Sequence, residues 1–190
     1  LVLLTRALTS KISGEDISEQ EDEESVFEYL GNNRSIQVRH ICRDIMDSKI
    51  VLNPPWQRAD VWSDSQKRRE LHEEQIQLVL IEHSVEAVIL SGYMRILTGT
   101  FVKKWLGRMI NIHPSLLPNY PGAHAHRDAL ADGATKSGCT IHFVEVGVDS
   151  GPIIAQGEVP VLPGDSEETL AARVKTIEHM LYPQVLDELA

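Results

Sequence analysis

Cysteine is scarce in this chain of 190 residues, and Cys42 and Cys139 lie far apart with no metal-type spacing. That argues against a disulfide framework and against a thiolate metal site; two free thiols in a reducing, cytoplasmic compartment are expected. Long apolar runs are also missing. None approaches the ~18 residues of a membrane span, so no membrane partner is expected, and the opening LVLLTRALTS is too short and lacks a signal-peptide cleavage pattern. Positive charge is in deficit. A net charge of −10 argues against nucleic acid as the main partner of the whole chain, because phosphate binding needs basic surface. What remains is ordinary: 42% apolar and 24% charged residues, enough length to bury a core, and room for one medium domain or one domain with an appendage. The first residue is Leu rather than Met, so the true start is expected upstream.

Composition divides the chain into three zones. Residues 1–33 hold an acidic cluster, with eight Asp or Glu between Glu15 and Glu28, and are expected to be a solvated or disordered segment. Residues 34–66 are basic and read as a strand, a helix and a turn at Asn53, Pro54 and Pro55. From about Lys67 onward, helix and strand patterns alternate. Residues 67–83 predict an amphipathic helix through Leu71, Ile76, Leu80 and Ile81, and EAVILS (86–91) a strand buried on both faces. A helix over 98–106, a strand over 108–113, a helix over 124–132 stopped by Gly133, and strands over 139–146 and 152–161 follow. The last helix is predicted to open on a capping box of Asp165 and Glu168 and to kink or end where Tyr182 meets Pro183. This alternation predicts an α/β fold with an open, mainly parallel, Rossmann-like sheet whose site lies at the C-terminal ends of strands.

The densest chemical signal is NIHPSLLPNYPG at 111–122, where a strand runs into a Pro-rich loop. Asn111 and His113 are two apart on an extended segment and so project to one side. Pro114 holds His113 in extended geometry. An amide donor and a titratable imidazole side by side can stabilise an oxyanion, although loop-stabilising hydrogen bonds are the plainer use of such residues. A second polar element is GVDSGPII at 147–154, where Asp149 sits near glycines. An Asp beside a His orients the ring and favours its charged form, but spacing alone does not bring Asp149 to His113. His124 and His126 form an H-x-H pair without the carboxylates or thiolates of a metal set, so no metal is expected. His142 alternates with Ile141 and Phe143 and is expected on the other side of its strand from them.

The blocks SGYMRIL, NIHPSLLPNYPGAHAHRDAL, SGCTIHFVEVGVDSGPIIAQ and RVKTIEHMLYP together resemble the glycinamide ribonucleotide formyltransferase family, in the family's order and spacing. The resemblance covers about residues 67–190, the catalytic half of that enzyme. It implies transfer of a formyl group from 10-formyltetrahydrofolate, a cosubstrate, to the amine of glycinamide ribonucleotide in purine synthesis. Asn111, His113 and Asp149 match the family's catalytic trio. Met94, Arg95, Ile96 and Leu97 match the folate pocket wall, as do Glu145, Val146, Gly147, Val148 and Asp149, with Asn111 adjoining. Arg69 matches a contact to the folate tail, though a solvated helix Arg reads equally well. Pro114, Lys175, Thr176, Ile177 and Glu178 match the segment that holds the ribonucleotide. Methionyl-tRNA formyltransferase and formyltetrahydrofolate hydrolase are similar, but GAHAHRDAL favours the glycinamide enzyme over the first, and Pro114 over the second.

The likeness stops short at both ends. The family's first strand is followed by a Gly-Ser-Asn loop whose amides cradle phosphate, and LTRALTSKISGED shows no such loop. The first strands of the sheet are therefore expected to be missing or replaced, and the family continues beyond the point where this chain stops. Residues 34–70 instead resemble the N-terminal segment of the DUF262 family of ParB-like proteins, chiefly around 53–63. Eight Lys or Arg against four Asp or Glu between Arg34 and Arg69 suit a phosphate-rich partner there, or simply a charged surface. The junction is expected near Lys67. An inactive, truncated or chimeric remnant is the alternative reading, and a second chain supplying the missing strands is a third.

Overall fold

The computed structural model describes residues 2–5, for which the backbone alone is given, together with residues 65–93 and 95–189. The chain forms two compact units, Leu1–Arg108 and Met109–Ala190.

In the first unit, strand β1 (Val2–Thr5) pairs in parallel with β2 (Val88–Ser91), in register from Val2 opposite Val88 to Thr5 opposite Ser91. Residues 1–33 are expected from composition to be a solvated or disordered segment, and the family's first strands to be missing or replaced; at residues 2–5 the chain instead forms a strand. Their run of apolar residues suits a parallel strand, which needs burial rather than alternation. The rest of the acidic zone, the expected elements of the basic zone up to residue 64, and the stretch where a phosphate loop would follow β1 lie outside the described residues. Helix α1 (Ser65–Glu82) buries Ile76 and Leu80 as expected and Val79 besides, but Leu71 is half-buried and Ile81 exposed. The helix also buries His72 and Glu73, which a hydrophobic pattern could not flag. Glu73 anchors the next helix: its carboxylate accepts the Thr98 amide at 2.6 Å and the Thr98 hydroxyl. Thr98 in turn caps α2 (Gly99–Lys104) by accepting the Phe101 amide. Burial pushes the Glu73 carboxyl above its ordinary range even against these bonds. Trp105 closes the helix, donating from its indole to Gln77 at 3.0 Å.

The second unit begins with β3 (Met109–His113), followed by α3 (Ala125–Ala131), β4 (Lys136–Phe143), β5 (Ile153–Pro160) and α4 (Glu167–Leu189). Strands β3 and β4 pair antiparallel, as do β4 and β5. The α/β class is as expected; the pairing in the first unit is parallel, and both ladders of the second unit are antiparallel. Cys139, Val159, Leu170 and Val174 form a buried cluster, with Ile112, Leu130, Val161, Ile177 and Leu181 packed around it. Burial pushes the Cys139 thiol up to about 12, so it is an inert core residue.

Helix α4 differs from its sequence reading at both ends. The reciprocal cap is one residue off: Ser166 Oγ accepts the Thr169 amide while Thr169 Oγ1 accepts the Ser166 amide. Asp165 is instead clasped by both guanidinium nitrogens of Arg173, at 2.7 and 2.8 Å, which holds its carboxyl well below the usual range. The helix also continues through Pro183 to Leu189. Tyr182, Val185 and Leu186 on either side of the proline are buried, and this tertiary packing outweighs the local break.

Gly138 marks the closest approach within the sheet, because a Cβ there would run into the Gly157 carbonyl of β5 and a methyl of Leu116. Gly138→Ala is expected to destabilise the fold by about 1–3 kcal/mol, since backbone rather than a flexible side chain must move. Urea unfolding of the two proteins measures this, and an unchanged midpoint would contradict it.

Candidate active site

The β3–β4 register sets the site. Asn111 lies directly opposite His142, and His113 opposite Thr140. Cross-strand partners share a face, so the alternation that puts Asn111 and His113 on one side adds Thr140 and His142 to it. Thr140 then secures the loop that follows β3. Its hydroxyl donates to the Ser115 carbonyl at 2.6 Å and accepts the Leu117 amide at 3.0 Å. Gln156 of β5 donates to the Leu117 carbonyl at 2.9 Å. The Leu117–Pro118 peptide in this loop is cis. Pinned in this way, the loop brings the Tyr120 carbonyl to within 2.9 Å of His113 Nε2.

The other ring nitrogen faces a carboxylate. His113 Nδ1 is 3.2 Å from Asp149 Oδ2, with the two side chains only 6% and 13% exposed. Asp149 reaches this position from a turn between β4 and β5, with φ at 48°, a left-handed conformation uncommon for a residue with a Cβ. The surroundings enforce it. The same Oδ2 accepts the Gly122 amide at 2.7 Å, which ties the two loops together. Gly151, two residues on, has φ at 153°, and a Cβ there would strike the Phe143 carbonyl. The buried imidazole thus lies between two acceptors, one of them a carboxylate.

Asn111 Nδ2 lies 3.3 Å from His142 Nε2, and His142 Nδ1 lies 2.9 Å from the Phe143 carbonyl. His142 is 2% exposed, and Asp149 Oδ1 is 3.9 Å from its Nε2. Burial lowers the His142 pKa, and so, less strongly, does the neighbouring His113; the Phe143 carbonyl and Asp149 oppose both without reversing the shift. The structure therefore brings Asn111, His113 and Asp149 together and adds His142, the Tyr120 carbonyl and the Gly122 amide, which the sequence reading missed. The backbone groups leave no trace in residue identity. His142 did leave one: its position in an alternating strand, which becomes informative once the register with β3 is known.

The other sequence candidates are more dispersed. Pro114 follows His113 directly. Val146 and Val148 are exposed in the Asp149 turn, along with Glu145 and Gly147. On α4, Ile177 packs against the core cluster, and Thr176 is exposed with its hydroxyl on the Ala172 carbonyl. Lys175 and Glu178 lie on the same helix; burial pushes the Glu178 carboxyl up to about 7, against the pull of Lys175. Arg69, Arg95, Ile96 and Leu97 belong to the first unit. Arg69 donates to Gln66 one turn back on α1, and Ile96 is exposed. Met94 lies outside the described residues. Among the described residues, no group of three His, Cys, Asp or Glu side chains is placed to hold a metal ion, and no helix is long and apolar enough to cross a membrane.

The raised Glu178 pKa has a consequence for stability. The folded chain retains a proton that the unfolded chain releases above about pH 4.5, so stability is expected to fall as pH rises from about 4.5 to about 7 and then to level off. Glu178→Gln is expected to remove this slope and to be the more stable protein at pH 8, by on the order of 2 kcal/mol. Urea unfolding at pH 5 and pH 8 checks it, and parallel pH dependences would contradict it.

A formyl transferase family model matches residues 10–186 of this chain. The chain is 46% identical over 122 residues to phosphoribosylglycinamide formyltransferase of Escherichia coli, covering 64% of this chain and 58% of that one. It is 52% identical over 124 residues to the human trifunctional purine biosynthetic protein adenosine-3, covering 65% of this chain and 12% of that one. Each match thus spans less than two thirds of the relative. Among solved structures, the glycinamide ribonucleotide transformylase 1 of Symbiobacterium toebii aligns over 97% of this chain and 83% of its own, at 31% identity and a TM-score of 0.65. The phosphoribosylglycinamide formyltransferase of Coxiella burnetii aligns over the same shares at 29% identity and a TM-score of 0.68. With the family match running through almost the whole chain and the structural likeness reaching the same extent, this chain belongs to the formyl transferase family.

Proposed function

We propose that this chain transfers a formyl group from 10-formyltetrahydrofolate to the amine of glycinamide ribonucleotide, a step of purine synthesis. The observation that carries the reading is the contact of His113 Nδ1 with Asp149 Oδ2 at 3.2 Å, with Asn111 two residues before His113 on β3. The names of the relatives point to the same substrates.

The amine nitrogen attacks the formyl carbon, and the carbonyl electron pair moves onto oxygen. Asn111 Nδ2 has one hydrogen toward His142 and a second to give to that oxyanion. His113 supplies the other donor. It does so from Nδ1, whose 3.2 Å contact to Asp149 is the longer of its two and is shared with the oxyanion when the reacting group arrives. Collapse of the tetrahedral centre re-forms the carbonyl and breaks the bond from the formyl carbon to the folate nitrogen. The proton shed by the attacking amine ends on that folate nitrogen, passed through the Asp149 carboxylate and water.

The family resemblance assigns the remaining roles. Met94, Arg95, Ile96, Leu97 and the 145–149 turn hold the folate, with Arg69 at its tail. Pro114, Lys175, Thr176, Ile177 and Glu178 hold the ribonucleotide. Folate serves as a consumed cosubstrate, no metal takes part, and the setting is cytoplasmic. For residues 34–66, which fall within the span of the family match, the DUF262 likeness and its phosphate-rich partner rest on sequence alone.

Calorimetry with a 10-formyltetrahydrofolate analogue and with glycinamide ribonucleotide tests the reading. Binding of both is expected. Folate binding alone would reduce the chain to a half-site, and binding of neither would leave the inactive remnant. His113→Ala is expected to lower turnover by about 10²–10³-fold while folate binding survives. Unchanged turnover in that variant would remove His113 from the chemistry.

A further inference from the structure

We infer that His142 is a positioning residue that fixes which end of the Asn111 amide faces the formyl group. The inference rests on the oxyanion role given to Asn111 above and extends it to a residue that touches neither substrate.

The geometry determines the ring's tautomer. His142 Nδ1 is 2.9 Å from the Phe143 carbonyl, and a carbonyl oxygen only accepts, so Nδ1 carries the hydrogen. On a neutral ring, Nε2 is then a lone pair. The atom 3.3 Å from it is Asn111 Nδ2, which donates. An Asn111 amide turned the other way would set its oxygen against that lone pair, an arrangement with no hydrogen bond. His142 thus selects one of two rotamers that otherwise occupy the same volume. The selected one keeps an N–H, rather than a second oxygen, available for a developing oxyanion. At 2% exposure His142 leaves no room for water to substitute as the acceptor.

The ring must be neutral for this to work, and its surroundings keep it so. Burial lowers its pKa and His113 lowers it further, against the Phe143 carbonyl and Asp149. A second proton would make Nε2 a donor facing the Asn111 donor, with Asp149 Oδ1, 3.9 Å away, as the competing acceptor. The two groups that bear on the ring electrostatically, Asp149 and His113, therefore act in opposite directions, and neither is itself the acceptor for Asn111. The β3–β4 register, which pairs Asn111 with His142 directly, makes the contact a property of the sheet rather than of a loop.

The test compares steady-state formyl transfer by the full chain in His142→Phe, His142→Gln, Asn111→Ala and the double variant Asn111→Ala with His142→Phe. His142→Phe is expected to lower kcat by about 10–100-fold with KM nearly unchanged. His142→Gln, which retains an acceptor oxygen, is expected to recover most of the loss. The double variant is expected to be no slower than Asn111→Ala alone, because His142 acts through Asn111. Full kcat in His142→Phe, or losses that multiply in the double variant, would overturn the inference while leaving the formyl-transfer reading intact. Wild-type kcat in Asn111→Ala would overturn the oxyanion role of Asn111 and the inference with it, whereas absence of formyl transfer by the unmutated chain would overturn the formyl-transfer reading. A second measurement needs no turnover: ¹⁵N NMR of the wild-type imidazole at pH 7 should show His142 protonated at Nδ1 and coupled through Nε2 to the Asn111 amide. Protonation at Nε2 instead would overturn the inference on its own.

Discussion

A single carboxylate oxygen joins the parts of this site. Asp149 Oδ2 faces the His113 ring at 3.2 Å and accepts the Gly122 amide at 2.7 Å. One contact sets the electrostatics of the imidazole; the other holds the loop after β3 against the turn after β4. Because that loop also offers the Tyr120 carbonyl to the far side of the ring, His113 is fixed at both nitrogens by groups that depend on Asp149 or on its neighbours. The cost is local: Asp149 sits in left-handed backbone, and Gly151 must lack a side chain for the turn to close. Strain of this kind persists where surrounding bonds over-determine it, as the two loops do here.

Much of this was legible in the sequence, for identifiable reasons. Alternation put Asn111 and His113 on one face, and the proline after His113 kept the strand extended to its end. The buried strand 88–91 announced itself as a short apolar run. What the sequence withheld was long-range pairing. Asp149 could not be brought to His113 by spacing, because the contact depends on how far β4 runs before it turns. His142 looked like any alternating strand residue until the register set it opposite Asn111. Local rules also lost to packing. Pro183 is expected to kink or end α4, but Tyr182 and Val185 are buried beside it and the helix continues to Leu189. The cap on α4 fell on Ser166 and Thr169 because Arg173 had already claimed Asp165. Residues 2–5, placed in an acidic and solvated zone by their neighbours' composition, join β2 because their own apolar run suits a parallel strand.

The ionisable groups divide by what burial does to them. Glu73 spends its carboxyl on holding Thr98, the residue that caps α2, and Cys139 is silenced within the core. Burial lowers the His142 pKa beside an Asn, whereas His113 faces a carboxylate and a carbonyl. The two imidazoles thus differ in what their ring nitrogens meet: a carboxylate and a carbonyl at His113, an amide and a carbonyl at His142.

The most direct measurement is a crystal structure of the chain with a folate analogue whose formyl carbon is replaced by a hydrated, tetrahedral carbon. One oxygen of that centre should lie within hydrogen-bonding distance of Asn111 Nδ2 and the His113 ring, and the other near the Asp149 carboxylate. A tetrahedral centre seated away from all three side chains would contradict the assignment of formyl-transfer chemistry to this site.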